Sequence, residues 1–413
     1  MAAGWSTVTL DKIIDVKHGY AFPGEHIREN PTRDILLTPG NFEIGGGFKA
    51  EKFKYYDGEV PEEYVLEEGD LLVTMTDLSK QSDTLGFPAL IPKADGARFL
   101  HNQRVGRVLI KPNAGVDKRF LYYLLRSAEY RHEVLASATG TSIKHTSPSR
   151  ILAYKANLPG LAVQRAIAHI LGTLDDKIEL NRKMNQTLEA MARAVFKSWF
   201  VDFDPVRAKA EGRDTGLSRD LAALFPDSFE DSELGKIPKG WRVQQLGDLI
   251  ELAYGKAMKE ENRQSGNVPV FGSNGQVGTH NEKLVTGPGI VVGRKGNPGI
   301  VTWAPSDFFP IDTTFYVVTR DTCRSLYFLF YALQDQNLAS QGSDSAVPGL
   351  NRNMAYMGQL VAPNVPVLDA FDKMVKPIFE IINHNNEESH TLAALRNSFL
   401  PKLLSGEIRV MDA

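Results

Sequence analysis

One long amphipathic stretch is written twice in this chain, and that constrains the fold more than any other feature. Residues 164–199 carry a 4-3 apolar spacing that puts Gln164, Ile167, Leu171, Leu174, Ile178, Asn181, Asn185, Leu188, Ala192, Val195 and Trp199 on one seam. An offset of 204 lays Leu368, Phe371, Val375, Ile378, Ile382, Asn385, Ser389, Leu392, Arg396, Phe399 and Leu403 on a matching seam. Such a seam needs a partner helix, and the second copy supplies one. Roughly 40 residues at a rise of 1.5 Å make a rod of about 60 Å. Asn181 sits at the centre of the first seam and matches Asn385. A polar residue there costs stability and fixes register. If the helices pack antiparallel about a pseudo-twofold axis, the two asparagines should meet; the alternative is two solvated asparagines on frayed helices. Pro377 is expected to kink or interrupt the second helix, because it lacks a backbone donor and clashes with the preceding turn.

The repeat extends upstream. "WSTVTLDKIIDVKHG" (5–19) matches "WRVQQLGDLIELAYG" (241–255), with Trp5 on Trp241, Leu10 on Leu246 and Gly19 on Gly255. "FLYYLL" (120–125) matches "FLFYAL" (328–333). Three anchors in the same order give the sequence domain, helix, domain, helix; chance similarity between amphipathic helices is the competing explanation. We divide the chain into residues 1–158, a central helix 159–204, a linker with second domain 205–362, and a distal helix 363–413.

Bulk properties fit this scheme. A chain of 413 residues exceeds one ordinary core, and 42% hydrophobic with 23% charged residues is a globular balance. A formal charge of −3 gives no global basic footprint, so nucleic-acid binding would need a local basic face. The single cysteine, Cys323, cannot form an internal disulfide, which points to a cytoplasmic chain. We see no signal-peptide pattern and expect no membrane span.

Catalytic motifs are missing where an enzyme would need them. "FDPV" (203–206) and "NPGI" (297–300) lack the second proline and aromatic of an amino-methyltransferase motif. No phosphate loop is present. No Glu-x-Lys occurs for a restriction-nuclease core; Asp-x-Lys occurs at 15–17 and 175–177, and the latter falls in the rod. The histidines show no spaced Cys/His cluster. A Ser-His-Asp triad is not excluded by residue content, but no nucleophile elbow appears.

"LAVQRAIAHILGTLDDKIELNRKMNQTLEAMARAVFKSWFVDFDPV" (161–206) closely resembles the central conserved region of the DNA-specificity subunits of type I restriction–modification systems, and "TLAALRNSFLPKLLSGEIRV" (391–410) resembles their distal region. "VVGRKGNPGIV" (291–301), "FFPIDTTFYV" (308–317) and "AVPGLNRN" (346–353) resemble pieces of a target-recognition domain in that family. The resemblance covers essentially the whole chain. It implies a non-catalytic subunit with two target-recognition domains, each reading one half of a split sequence in double-stranded DNA. It implies two methyltransferase subunits docked on the conserved helices, with restriction (translocase–nuclease) subunits able to join. It implies no cofactor in this chain: S-adenosylmethionine would bind the methyltransferase partner, and ATP and magnesium the restriction partner. The competing readings are a stand-alone DNA-modifying or DNA-cleaving enzyme, and a duplicated protein-binding scaffold.

Arg and Lys suit guanine, Asn and Gln adenine, and Ser or Thr either. In the second domain "VPVFGSNGQVG" (268–278) offers Ser273, Asn274 and Gln276; "GRKGNPG" (293–299) offers Arg294, Lys295 and Asn297; "GLNRN" (349–353) adds Asn351 and Arg352. In the first, the candidates are Thr76, Ser79, Lys80, Gln81, His101, Asn102, Gln103, Arg104, Ser142, Lys144 and His145. Solvated hairpin turns and polar surface loops are the competing explanation for each. "KFKYYDG" (52–58) suits strand packing better than base stacking, and the charged, proline-bearing 203–241 reads as a solvated connector. Short apolar runs such as "DLLVTM", "RVGRVLI", "GIVVG" and "TFYVV" read as strands, and "KRFLYYLLRSAEYRHEVLASA" as a helix ending the first domain. The expected class is α+β: two mixed α/β domains joined by an antiparallel helical coiled-coil spacer.

Overall fold

The computed structural model describes residues 5–77, 79, 83–94, 96–141, 143–341 and 349–410. It divides into two compact units, Met1–Glu179 with Ser389–Ala413, and Leu180–Glu388.

The first unit is built on a four-stranded antiparallel sheet of β1 (Ile14–His18), β2 (Leu71–Thr74), β3 (Pro88–Leu90) and β4 (Val105–Ile110), in the order β1-β4-β2-β3. β2 is buried along its length, as the unbroken apolar run "LLV" requires of a central strand. A smaller five-stranded sheet includes Lys54–Tyr56, where Tyr56 is buried among Phe22, Leu36 and Leu100. Ser6–Thr9 pairs antiparallel with Lys155–Leu158, so the unit's first and last strands close on each other.

The second unit repeats the plan. β5 (Ile250–Tyr254), β6 (Gly289–Gly293), β7 (Val301–Ala304) and β8 (Thr314–Thr319) form an antiparallel sheet in the order β5-β8-β6-β7, the same permutation. Arg242–Gln245 pairs antiparallel with Gln359–Ala362, again closing the ends. The matched glycines have one physical cause. A Cβ on Gly19 would lie 2.2 Å from the Asn102 carbonyl oxygen, and one on Gly255 would lie 2.1 Å from that of Ile311. Both positions need backbone contact that no side chain permits.

Two long helices complete the chain, α1 (Leu161–Phe200) and α2 (Val365–Ser405). Within the first unit, Ile167, Ala168 and Leu171 of α1 share a core with Leu400 and Leu403 of α2. Within the second, Ala192, Phe196, Trp199 and Phe200 meet Val367, Leu368, Phe371, Val375 and Phe379. Rising numbers on one helix face falling numbers on the other in each unit, so the pairing is antiparallel. The rings of Phe200 and Phe371 lie 5.0 Å apart edge to face; burying each such side chain contributes about 1.5–3 kcal/mol.

A polar layer lies in the helix pair of the second unit. Asn181 Nδ2 donates to the Asn385 carbonyl at 3.3 Å and to Glu388 Oε2 at 2.7 Å. Asn385 Nδ2 donates to Asn185 Oδ1 at 2.8 Å, and Asn185 Nδ2 to Asn386 Oδ1 at 2.8 Å. Leu174, Ile178, Leu188, Ile378, Ile382, Leu392 and Phe399 are half-buried on the paired faces, while Val375 is fully buried.

Three expectations need correction. Pro377 does not interrupt α2, which is helical from Val365 to Ser405. Pro377 and Lys373 are exposed, so the lost backbone bond falls on the outer side of the helix, while Val375 and Phe379 are buried in the second core. The helix expected across 118–138 is two, Lys118–Leu124 and Ala128–Ala136, because Ser127 caps a new start by accepting from Tyr130 N at 3.2 Å. It also does not end the domain: Lys144–His145, Pro148–Leu152 and Lys155–Leu158 follow. The segment 203–241 is not a solvated connector. Val206, Phe225, Ile237 and Trp241 are buried in the second core, and Phe225 packs 5.0 Å from Trp199.

Candidate functional site

In the second unit the middle strand β6 ends at Gly293, and the next residues are held from three sides. Arg294 N and Lys295 N both donate to the Thr313 carbonyl, at 2.9 and 3.1 Å. Ser273 Oγ lies within hydrogen-bond distance of the carbonyls of Lys295 (2.6 Å) and Thr313 (2.7 Å), either of which can accept its single proton. Lys295 bridges to Gly349, and Leu350 N donates to the Arg294 carbonyl at 2.9 Å. A Cβ on Gly293 would stand 2.3 Å from the Asn297 carbonyl oxygen, so the glycine lets the 293–297 loop fold onto itself. The structure thus brings Ser273, Arg294, Lys295, Asn297 and Arg352 into one cluster from three separate loops. Asn274 and Gln276 extend along the hairpin that starts at Ser273; both are exposed, and Gln276 Nε2 donates to the Gly278 carbonyl at 3.3 Å. Asn351 instead caps the short helix Arg352–Tyr356 by accepting from Asn353 N and Met354 N.

Residue-type reasoning passed over the centre of this cluster, Tyr254. The Arg294 guanidinium lies 4.8 Å from its ring centroid and that of Arg352 lies 5.0 Å from it. Each such contact is worth about 0.5–2 kcal/mol. Tyr254 is itself 51% exposed and packs on Phe315. Among the described residues, neither arginine nor Lys295 is in an ion pair with a carboxylate, so the basic face is electrostatically open.

The first unit presents different chemistry at the matching place. β2 runs on to Met75, whose N–H donates to the Arg104 carbonyl and whose carbonyl accepts from Thr146 N. Thr76–Asp77 pairs with Lys144–His145, and Thr76 Oγ1 shares a 3.1 Å hydrogen bond with His145 Nδ1. Arg104, Lys144 and His145 therefore flank one strand end. Asp77 anchors the following loop by accepting from Ser79 N, Thr84 N and Leu85 N. Burial alone would raise its pKa, but these hydrogen bonds hold it below the usual carboxylate value. Lys80, Gln81 and Ser142 lie outside the described residues. Register places His18 where the second unit has Tyr254: each is the last strand residue before a matched glycine. Two candidates are buried rather than at the surface: His101 completely, with Nε2 2.9 Å from the Val105 carbonyl, and Thr76, which is 7% exposed.

Asp175 was not foreseen as a site residue. It accepts from Tyr123 Oη at 2.7 Å, Arg126 Nη1 at 2.9 Å and Arg396 Nη1 at 2.5 Å. Burial opposes its charge, but the two guanidiniums keep it below the ordinary carboxylate range. Among the described residues no group of three or more His, Cys, Asp or Glu side chains is placed to hold a metal ion, and no helix is long and apolar enough to cross a membrane.

Comparison with known proteins agrees with this architecture. A family model described as the type I restriction modification DNA specificity domain matches residues 3–190 and 238–352. The chain is 29% identical over 374 residues to the HindI specificity subunit of Haemophilus influenzae, covering 73% of this chain and 80% of that protein. It is 25% identical over 330 residues to the MjaIX specificity subunit of Methanocaldococcus jannaschii, covering 73% and 72%. The crystal structure of a type I restriction–modification S subunit from M. genitalium superimposes with a TM-score of 0.56 at 17% identity, over 97% of this chain and 96% of that one. With the family model laid across both repeats, the chain belongs to the type I restriction modification DNA specificity family, and its role is DNA sequence recognition as a non-catalytic specificity subunit.

Proposed function

We propose that the chain reads a split double-stranded DNA target, residues 1–158 taking one half and 205–362 the other, with 159–204 and 363–413 as the spacer. The observation that carries this reading is the duplicated sheet. The same strand permutation ends in a polar loop cluster twice, with different side chains each time: Arg104, Lys144 and His145 in the first unit, Ser273, Arg294, Lys295, Asn297 and Arg352 in the second. Two copies of one scaffold with unlike reading groups suit two unlike half-sites. Lys80 and Gln81 belong to the same proposed surface of the first domain.

Two methyltransferase subunits dock on the paired helices in this proposal, and restriction subunits join them in the cytoplasm. Leu180, Met184 and Met191 support the docking: they are exposed on α1 at helical spacing, an apolar stripe that the helix pair leaves uncovered. S-adenosylmethionine is bound by the methyltransferase partner, and ATP and magnesium by the restriction partner. The test is a gel shift of the chain with its methyltransferase partner on genomic fragments across a salt series. We expect sequence-selective binding that weakens about 10³-fold or more between 50 and 200 mM salt. A complex that assembles but binds no DNA would instead support a protein-binding scaffold.

A further inference from the structure

The geometry points to Tyr254 as a positioning residue that holds Arg294 and Arg352 as a paired guanine reader. This rests on the proposed DNA-reading role of the second domain and names what that site takes. The two guanidiniums share one ring, at 4.8 and 5.0 Å from its centroid. Phe315 lies 5.8 Å from Arg294 and Tyr356 lies 5.9 Å from Arg352, so each cation lies against two aromatic rings. The Tyr254 ring is in turn fixed by Phe315 at 5.0 Å. Each arginine also gives Nη1 to a backbone carbonyl, Arg294 to Asp312 at 3.0 Å and Arg352 to Leu252 at 3.5 Å. That leaves the Nε–Nη2 edge of each without a partner among the described residues.

Two parallel N–H groups in a fixed plane match two acceptors in one plane. A guanine presents that pair in the major groove, O6 and N7. A phosphate offers acceptors in many directions and needs no fixed guanidinium plane, so the stacking favours the base. Two like charges held on one ring also repel, and an acceptor-rich edge relieves that repulsion. Lysine could not substitute, because it lacks both the plane and the fork.

The experiment selects bound sequences from randomised duplex DNA with the full chain in complex with its methyltransferase partner, comparing the unaltered protein with R294A, R352A, Y254A and Y254F. Thermal melting of each complex reports folding; should Y254A melt early, the two arginine variants and Y254F decide the matter. The expected result is a guanine in one half of the selected target whose preference falls about 10- to 100-fold in R294A, R352A and Y254A. Y254F keeps the ring and keeps the preference, and the other half-site stays unchanged in all variants. Uniform weakening with all base preferences intact would assign the arginines to phosphate and overturn the proposal. So would a selected target without guanine in the affected half. If the unaltered complex selects no sequence at all, the DNA-reading role itself fails, which separates that failure from this one.

Discussion

His101 sits wholly inside the first unit with its ring on the Val105 carbonyl, and burial lowers its pKa from 6.5 to about 4. An unfolded imidazole takes up a proton below pH 6.5, while the folded one stays neutral down to about 4. Falling pH therefore draws the chain toward unfolding across that window, by up to about 3 kcal/mol. His101→Gln, which keeps a donor and does not titrate, should flatten the stability-versus-pH curve between 6.5 and 4 in chemical denaturation; an unchanged slope would contradict this. Asp175 gives the complementary case. Asp175→Asn leaves Arg126, whose side chain is 3% exposed, without its counter-charge, and should destabilise the folded chain by about 3–5 kcal/mol in the same assay. Residue type revealed Arg294 and Arg352 because basic residues among glycines and asparagines stand out in a loop. It hid Tyr254, since an aromatic residue ending an apolar strand reads as core. Only the folded arrangement, with Tyr254 paired to Phe315 and its ring against both guanidiniums, shows that it belongs with the arginines.

Among the elements, the apolar periodicity made the two long helices legible, and short apolar runs marked β2, β4, β6 and β8. What periodicity could not show was competition from the tertiary structure. Ser127 starts a new helix and Arg126 turns inward to Asp175, splitting an apparently continuous helix. Residues 203–241 look solvated because charges, prolines and glycines are scattered among their apolar groups, yet Phe225 and Trp241 complete an aromatic core that only the fold assembles. The buried asparagine layer is testable on its own. A double-mutant cycle with Asn185→Ala and Asn385→Ala should return a coupling of about 0.5–1.5 kcal/mol, as expected for a buried hydrogen bond. Additive effects would place the two side chains out of contact.

For the whole molecule, duplication is the organising fact. Trp5 and Trp241, and Gly19 and Gly255, match because each domain closes its ends with the same strand pair and makes the same close backbone approach. Those constraints leave a sequence trace; the loops proposed to read DNA, which need only project from the scaffold, leave little. The central claim is that each copy reads its own half of one target. The most direct measurement replaces residues 1–158 with the corresponding domain of a relative and maps methylated adenines in cells carrying the cognate methyltransferase subunits. The account predicts that one half of the methylated motif changes to the donor's while the other half is kept. A motif altered in both halves, or in neither, would contradict it.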